Sequence, residues 1–381
     1  MISRKSLVLI ISFLAVSVAV VLGAQFFKSK NNAASGINAI NLKPKPKGWP
    51  WKGVSMQSGK SDYNDIKFLN NSGINFIRIQ LKPNKRTNNG KVTPTEAFYN
   101  ELAWTDKILD ECKKYNMSAM IAYNYFVLDP QNPVDDKSAE FWQGNKYLDS
   151  AYAQIDIICK RYKNRGNELI AYEFMSEPAI GGDGFNRASS PARLEEFFNN
   201  ALKTIRKYDS VRYFLLTPGP FGTPMNYVGF KGFNIKDDKL IYGAHQYLPQ
   251  QYTHQGIKNR PRGINYPGVV AGKNWDKNAL DKSFNSLKLF ESKTGYPVFI
   301  GEFQSVRWAP NCNQWVKDVI DIMDQNKWGW AYFAYQPDND FWNPFMEVKN
   351  PNDENKDWIL NNKGSEAAMW KYLITTEFKK N

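Results

Sequence analysis

A closed (β/α)8 TIM barrel in a single catalytic domain is the fold this sequence predicts. Eight short runs rich in β-branched and aromatic residues recur along the chain, and segments of helical period separate them. The glycine-rich phosphate turn that an open doubly wound sheet places after an early strand is missing from the sequence. At 381 residues the chain can hold one such barrel, which occupies roughly 250 residues and grows by loop insertion, together with an N-terminal extension.

From the N-terminus, Arg4 and Lys5 precede an apolar and small-residue run over 6–27, closed by Lys28 and Lys30, which reads as an export signal. The run exceeds the ~7–15 residues of a cleavable signal core and approaches the ~20 needed to cross a bilayer. Residues 1–27 are therefore a signal peptide or, by preference, an N-terminal membrane anchor, since Leu22-Gly23-Ala24 is a weak cleavage site. Basic residues flank both sides, so charge does not fix the orientation. Residues 28–49, with the alternating Lys43-Pro44-Lys45-Pro46-Lys47, can neither bury much surface nor run as a helix and are expected to form a tether. The catalytic domain spans 50–381. Strands are predicted at 53–56, 75–81, 118–124, 169–175, 212–217, 240–247, 297–303 and 329–335, and helices at 96–115, 139–163, 191–208, 275–294, 313–326 and 365–375.

Composition excludes several classes. The first 30 residues hold four basic and no acidic side chains, so the net charge of +13 leaves +9 on the remainder. A basic chain suggests nucleic acid, yet no zinc spacing, RNA-binding motif or long basic run supports it. A basic surface also suits an acidic polysaccharide or envelope. Three cysteines with no C-x-x-C pair indicate neither a disulfide framework nor a zinc site; Cys112 and Cys159 fall on neighbouring predicted helices, where buried thiols are the expectation and a bridge is the alternative.

Barrel chemistry sits at the C-terminal ends of the strands. The fourth strand ends Ser176-Glu177-Pro178 and the seventh ends Glu302-Phe303. A carboxylate capping an apolar strand is poorly explained by packing, because burying it unpaired is costly. Strands four and seven face each other across the mouth, so the two carboxylates can meet over a sugar. Glycosidic cleavage needs one carboxyl protonated to release the leaving oxygen and a second ionised to attack or stabilise the anomeric carbon. Which glutamate plays which part is not decided by the residues alone.

Four motifs in order, Phe76-Ile77-Arg78-Ile79, Glu173-Phe174-Met175-Ser176-Glu177-Pro178, His245-Gln246-Tyr247 and Ile300-Gly301-Glu302-Phe303, give a chain that resembles glycoside hydrolase family 5, the cellulase family of retaining barrel enzymes, over roughly residues 50–375. The resemblance implies Glu177 as acid/base and Glu302 as nucleophile, Arg78 as hydrogen-bond partner of the nucleophile, and His245 and Tyr247 as residues lining the sugar site. His245 and Tyr247 are two apart on a strand and project the same way. The chain departs from the family pattern in three places. Ser176 stands where the family has an asparagine before the acid/base. The strand-three histidine gives way to a Tyr123-Asn124 region, with Asn124 as the candidate replacement contact. Tyr335 takes the place of a tryptophan at the end of strand eight. Trp308 and Trp342 are added as sugar-stacking candidates, with Trp142 a weaker one, because flat aromatic rings pack on sugar faces.

The expectation is an exported retaining endo-glycosidase without cofactor or metal, monomeric in its catalytic domain, outside the cell or anchored through residues 6–27. Its substrate would be a β-1,4-glucan or mannan, as the resemblance implies, or a bacterial surface or capsular polysaccharide. A transglycosylase and a catalytically weakened carbohydrate-binding barrel are the alternatives.

Overall fold

Along Phe76-Ile77-Arg78-Ile79-Gln80-Leu81 every second residue is an aliphatic that faces the surrounding helices, while the phenylalanine, arginine and glutamine between them face inward. The same alternation closes a barrel. The computed structural model describes residues 42–123, 125–127, 139–142, 144–178, 190–348, 358–360 and 368–380. Residues 6–27 and Asn124 lie outside the described residues.

The barrel strands are β1 Lys52–Gln57, β2 Phe76–Leu81, β3 Ser118–Tyr123, β4 Leu169–Phe174, β5 Tyr213–Leu216, β6 Leu240–Gln246, β7 Val298–Phe303 and β8 Gly329–Tyr335. They pair in parallel in chain order, and β8 returns to β1 to close the ring. Each coincides with a predicted strand to within a residue at either end. Around them lie α1 Asp65–Asn71, α2 Pro94–Lys114, α3 Lys146–Tyr162, α4 Ser190–Tyr208, α5 Lys277–Ser283, α6 Asn285–Thr294, α7 Cys312–Gln325 and α8 Ala368–Tyr372.

The helices differ from expectation where local chemistry interrupts the apolar period. The segment 139–163 is broken before α3 by Gly144 at φ 71°, a left-handed conformation that glycine adopts without penalty. The segment 275–294 begins two residues late and is divided: Trp275 ends a short antiparallel ribbon, Gly268–Val270 with Lys273–Trp275, and Asp276 accepts the Ala279 N–H at 2.8 Å to cap α5. Helix α1 was not anticipated, being only seven residues long. Between β5 and β6 the described helical structure is a single 3-10 turn, Pro224–Tyr227.

One apolar cluster fills the space between strands and helices. A second plugs the N-terminal end of the barrel, where Trp51 stacks on Phe76 at 5.3 Å with Tyr213 and Phe299 edge-on. The interior is therefore apolar at the bottom and polar at the top. The tether prediction needs correcting at its C-terminal end: residues 42–49 dock on the barrel. Lys43 N–H donates to Gly295 O at 3.1 Å, Tyr213 OH to Pro44 O at 3.3 Å and Trp49 Nε1 to Lys327 O at 3.2 Å. Proline-locked extended chain cannot form helix, but its carbonyls remain free to accept such bonds. Cys112, Cys159 and Cys312 are all buried free thiols, so the alternative of a Cys112–Cys159 bridge does not hold.

Candidate active site

The upper barrel interior is built by the inward positions of β2, β4, β6 and β7. Strand β2 sends in Arg78 and, two residues on, Gln80. Arg78 Nε donates to Glu173 Oε2 of β4 at 2.6 Å and its Nη1 to Glu302 Oε1 of β7 at 3.0 Å, so one fully buried guanidinium joins two carboxylates. Gln80 Nε2 reaches the same Glu302 oxygen at 2.9 Å, and Tyr247 OH donates to the other, Oε2, at 3.1 Å. Three donors thus face this one carboxylate. Gly301 leaves room for this packing: a Cβ there would stand 3.0 Å from His245 Nε2 and 3.5 Å from Arg78 Nε.

The chain leaves β4 through Met175 in the left-handed region, φ 73°, where a buried non-glycine residue is strained. Glu177 follows at the mouth, its side chain 22% exposed against 8% for Glu302. His245 Nδ1 and Glu177 Oε1 are 2.8 Å apart, and the same nitrogen is 3.9 Å from Glu302 Oε2. Burial disfavours the imidazolium of His245, but the charges of Glu302 and Glu177 and the bond to Glu177 outweigh it and raise its pKa. Tyr247 is pushed well above the ordinary tyrosine range by burial and then by Glu302 and Glu177, so it stays a donor. One carboxylate oxygen each from Glu177 and Glu302 and a nitrogen of His245 lie within 4.8 Å of one another. Two carboxylates and an imidazole are also a donor set that a metal ion can use, but here the Arg78 guanidinium already supplies positive charge to Glu302.

Beside the carboxylates opens a cavity of about 390 Å³ whose lining includes Gln57, Lys82, Tyr125, Phe333, Asp338 and Trp342. Trp342 packs against Tyr247 at 5.8 Å, His254 at 5.1 Å and Phe333 at 6.3 Å, forming an aromatic wall.

The structure thus brings together Glu177, Glu302, Arg78, His245, Tyr247 and Trp342. Ser176 lies beside Glu177 with its hydroxyl buried and without a hydrogen-bond partner among the described residues. Asn124 is outside the described residues. Trp308 is set back in the wall: it is 5% exposed, donates through Nε1 to Gln255 O at 2.7 Å and carries the Arg262 guanidinium over its ring. Trp142 packs edge-on to Phe197 in the core. Tyr335 is corrected. Its hydroxyl donates to Asp65 Oδ1 of α1 at 2.9 Å and its ring packs on Phe345 and Trp370, outside the barrel. The cause is a register irregularity: β1 advances from Val54 to Met56 while β8 advances from Tyr332 to Tyr335, so the alternation that sends Ala331 and Phe333 inward breaks before Tyr335. Sequence reasoning missed Gln57, Gln80, Lys82, Glu173, His254 and Phe333. The period of two from Arg78 points directly to Gln80 and Lys82, whereas nothing in the sequence marks the β8 irregularity.

Comparison with known proteins bears on this arrangement. Residues 40–339 match the family model described as cellulase, glycosyl hydrolase family 5. Endoglucanase C of Acetivibrio thermocellus is 25% identical over 267 residues, covering 62% of this chain and 73% of that protein. Cellodextrinase A of Ruminococcus flavefaciens is 23% identical over 272 residues, covering 70% of this chain and 71% of its own length. The crystal structure of endoglucanase Cel5A from Thermotoga maritima has a TM-score of 0.61 over 77% of this chain and 92% of that one at 17% identity, a likeness of fold.

Proposed function

Because this chain belongs to glycosyl hydrolase family 5, the cellulase family, we propose that it cleaves internal bonds of a β-1,4-linked glucan with retention of configuration, Glu302 acting as nucleophile and Glu177 as acid/base. The observation that carries the reading is the asymmetry between the two carboxylates. Glu302 takes hydrogen bonds from Arg78, Gln80 and Tyr247 and is nearly enclosed, while Glu177 is more exposed and contacts a histidine. Their approach within 4.8 Å supports retention, since retaining pairs stand ~5–5.5 Å apart and inverting pairs ~6.5–9.5 Å, to leave room for a water.

In the first step Glu177, protonated, gives its proton to the glycosidic oxygen as the bond from that oxygen to the anomeric carbon breaks. A Glu302 oxygen forms the new bond, giving a glycosyl ester. Glu177, now a carboxylate, next takes a proton from water, whose oxygen attacks the anomeric carbon and releases Glu302. His245 holds the Glu177 carboxyl in place, and Tyr247 and Arg78 hold Glu302 so that its free lone pairs face the sugar. The wall of Trp342, Phe333 and Tyr247 supplies flat apolar faces for pyranose rings. We also assign residues 6–27 as export signal or membrane anchor, which would place the catalytic unit outside the cell, on the length and apolarity of that run.

The test is reducing-end release and viscosity loss from β-1,4-glucan, β-1,4-mannan, xylan and bacterial capsular polysaccharides, with the full-length chain beside Glu177→Gln and Glu302→Gln. The expected result is activity on β-1,4-glucan, viscosity falling ahead of reducing-end release, and loss of turnover in both variants. Activity confined to another polymer would overturn the substrate, and full activity in Glu302→Gln would overturn the mechanism.

A further inference from the structure

The cavity beside the carboxylates holds more positive charge than its surroundings neutralise. Lys82 and Lys85 line it against a single carboxylate, Asp338, whose Oδ1 is already paired with Arg86 Nη2 at 3.0 Å. Glu302, the acid of the neighbouring barrel interior, is held by Arg78 at 3.0 Å. Among the described residues neither Lys82 nor Lys85 has an ion-pair partner. Lys82 is the more enclosed of the two. It is half-buried, and the rings of Tyr125 and Phe333, 5.5 and 5.7 Å from its nitrogen, exclude water around it. With the Gln57 amide oxygen turned to it at 2.8 Å, the ammonium keeps two further protons to offer. Burial lowers the Lys82 pKa to about 8 against the pull of Glu302 and Asp338, so the side chain is charged at neutral pH. A partly desolvated ammonium without a carboxylate beside it is costly, and an anionic ligand group would offset that cost.

The position of the cavity decides which part of a substrate reaches it. Gln57 ends β1, Lys82 follows β2 and Phe333 lies in β8, and these three strands are neighbours in the barrel. Glu177 follows β4 on another side of the mouth, and the oxygen of the leaving sugar must face it to take its proton. The leaving part of the chain therefore lies toward β4, and the glycosyl part that Glu302 attacks runs toward β1, β2 and β8, over Lys82.

We propose that this glycosyl part carries a carboxylate and that Lys82, with Lys85 on the cavity wall, binds it, so that the preferred polymer is a β-1,4-linked glucan bearing uronate units. The proposal rests on the roles of Glu302 and Glu177 set out above. A single carboxylate suits the lining better than a phosphate dianion, because Asp338 in the same wall repels a second negative charge. The net charge of +9 on the chain beyond its first 30 residues favours the approach of such a polyanion.

The experiment has two arms. The first compares kcat/KM on a soluble β-1,4-glucan and on the same glucan partly oxidised at C6 to glucuronate, for the full-length wild type, Lys82→Met and Lys82→Arg. A charge-assisted hydrogen bond predicts a preference of roughly tenfold for the oxidised polymer in the wild type, shrinking as salt is raised. Lys82→Met should lose the preference and Lys82→Arg should keep most of it. The ratio between substrates is the readout, so a general loss of activity does not imitate the result. Equal or better wild-type turnover of the neutral glucan, or a preference that survives in Lys82→Met, overturns the proposal. The second arm needs no turnover: calorimetric titration of Glu177→Gln with cellotetraose and with its uronate-bearing counterpart. Binding of the second is expected to be roughly tenfold tighter at low salt, and equal affinities overturn the assignment. A wild type inactive on both polymers would refute the proposed function, while this arm still decides whether the cavity takes a carboxylate.

Discussion

Arg78 is the residue on which the site's charges converge, since its buried guanidinium serves Glu173 and Glu302 together. Replacing it by methionine leaves two buried carboxylates without their cation, a change expected to remove about 3–5 kcal/mol of stability as well as most activity. Chemical denaturation measures the first and cellobioside turnover the second. Arg78→Lys should recover stability only in part, because a single ammonium lacks the fork that reaches both partners. Glu177 and Glu302 were legible in the sequence because each ends an apolar strand, where packing gives a polar side chain no reason to stand, and Arg78, His245 and Tyr247 through the motifs that carry the family resemblance. Glu173 was hidden by position: it lies within its strand, and only the contact with Arg78 shows why a buried carboxylate is tolerated there.

At the scale of elements, strand runs were readable almost to the residue because inward and outward faces are both buried and aliphatic and aromatic residues dominate them. Helix boundaries were less readable. Asp276 caps α5 through its side chain and Gly144 interrupts the chain before α3, and both act locally within segments whose apolar period continues past them. Strand β8 offers the sharpest test. Its broken register turns Tyr335 outward, while Phe333, two residues before it, keeps the inward face. Tyr335→Phe is expected to lower stability by about 0.5–1.5 kcal/mol through loss of the bond to Asp65, with kcat/KM nearly unchanged. Phe333→Ala should do the reverse, weakening substrate binding with a raised KM. A Tyr335→Phe variant that loses activity while keeping stability would restore tyrosine to the sugar site.

For the whole molecule, the barrel is plugged at one end by aromatics, strapped there by residues 42–49, and polar at the other. This gradient gathers the ionisable groups of the site at the upper end, where His254 carries a pH signature. Burial, reinforced by Arg260 and opposed by Glu177, lowers its pKa from 6.5 to about 4. The folded form therefore binds fewer protons than the unfolded chain between those values. Stability from this residue is complete above pH 6.5 and is lost as pH falls through about 4. Thermal scans should show the wild type losing Tm relative to His254→Gln over that window, and parallel curves would contradict the assignment. The central claim, that Glu302 attacks the sugar, is tested most directly by trapping the intermediate with a 2-deoxy-2-fluoro-β-cellobioside bearing a dinitrophenolate leaving group, followed by intact-mass and peptide analysis. The account predicts one fluorocellobiosyl label per chain, on Glu302, released slowly as turnover resumes. A label on another residue, or hydrolysis that inverts the anomeric centre with no label at all, would contradict it.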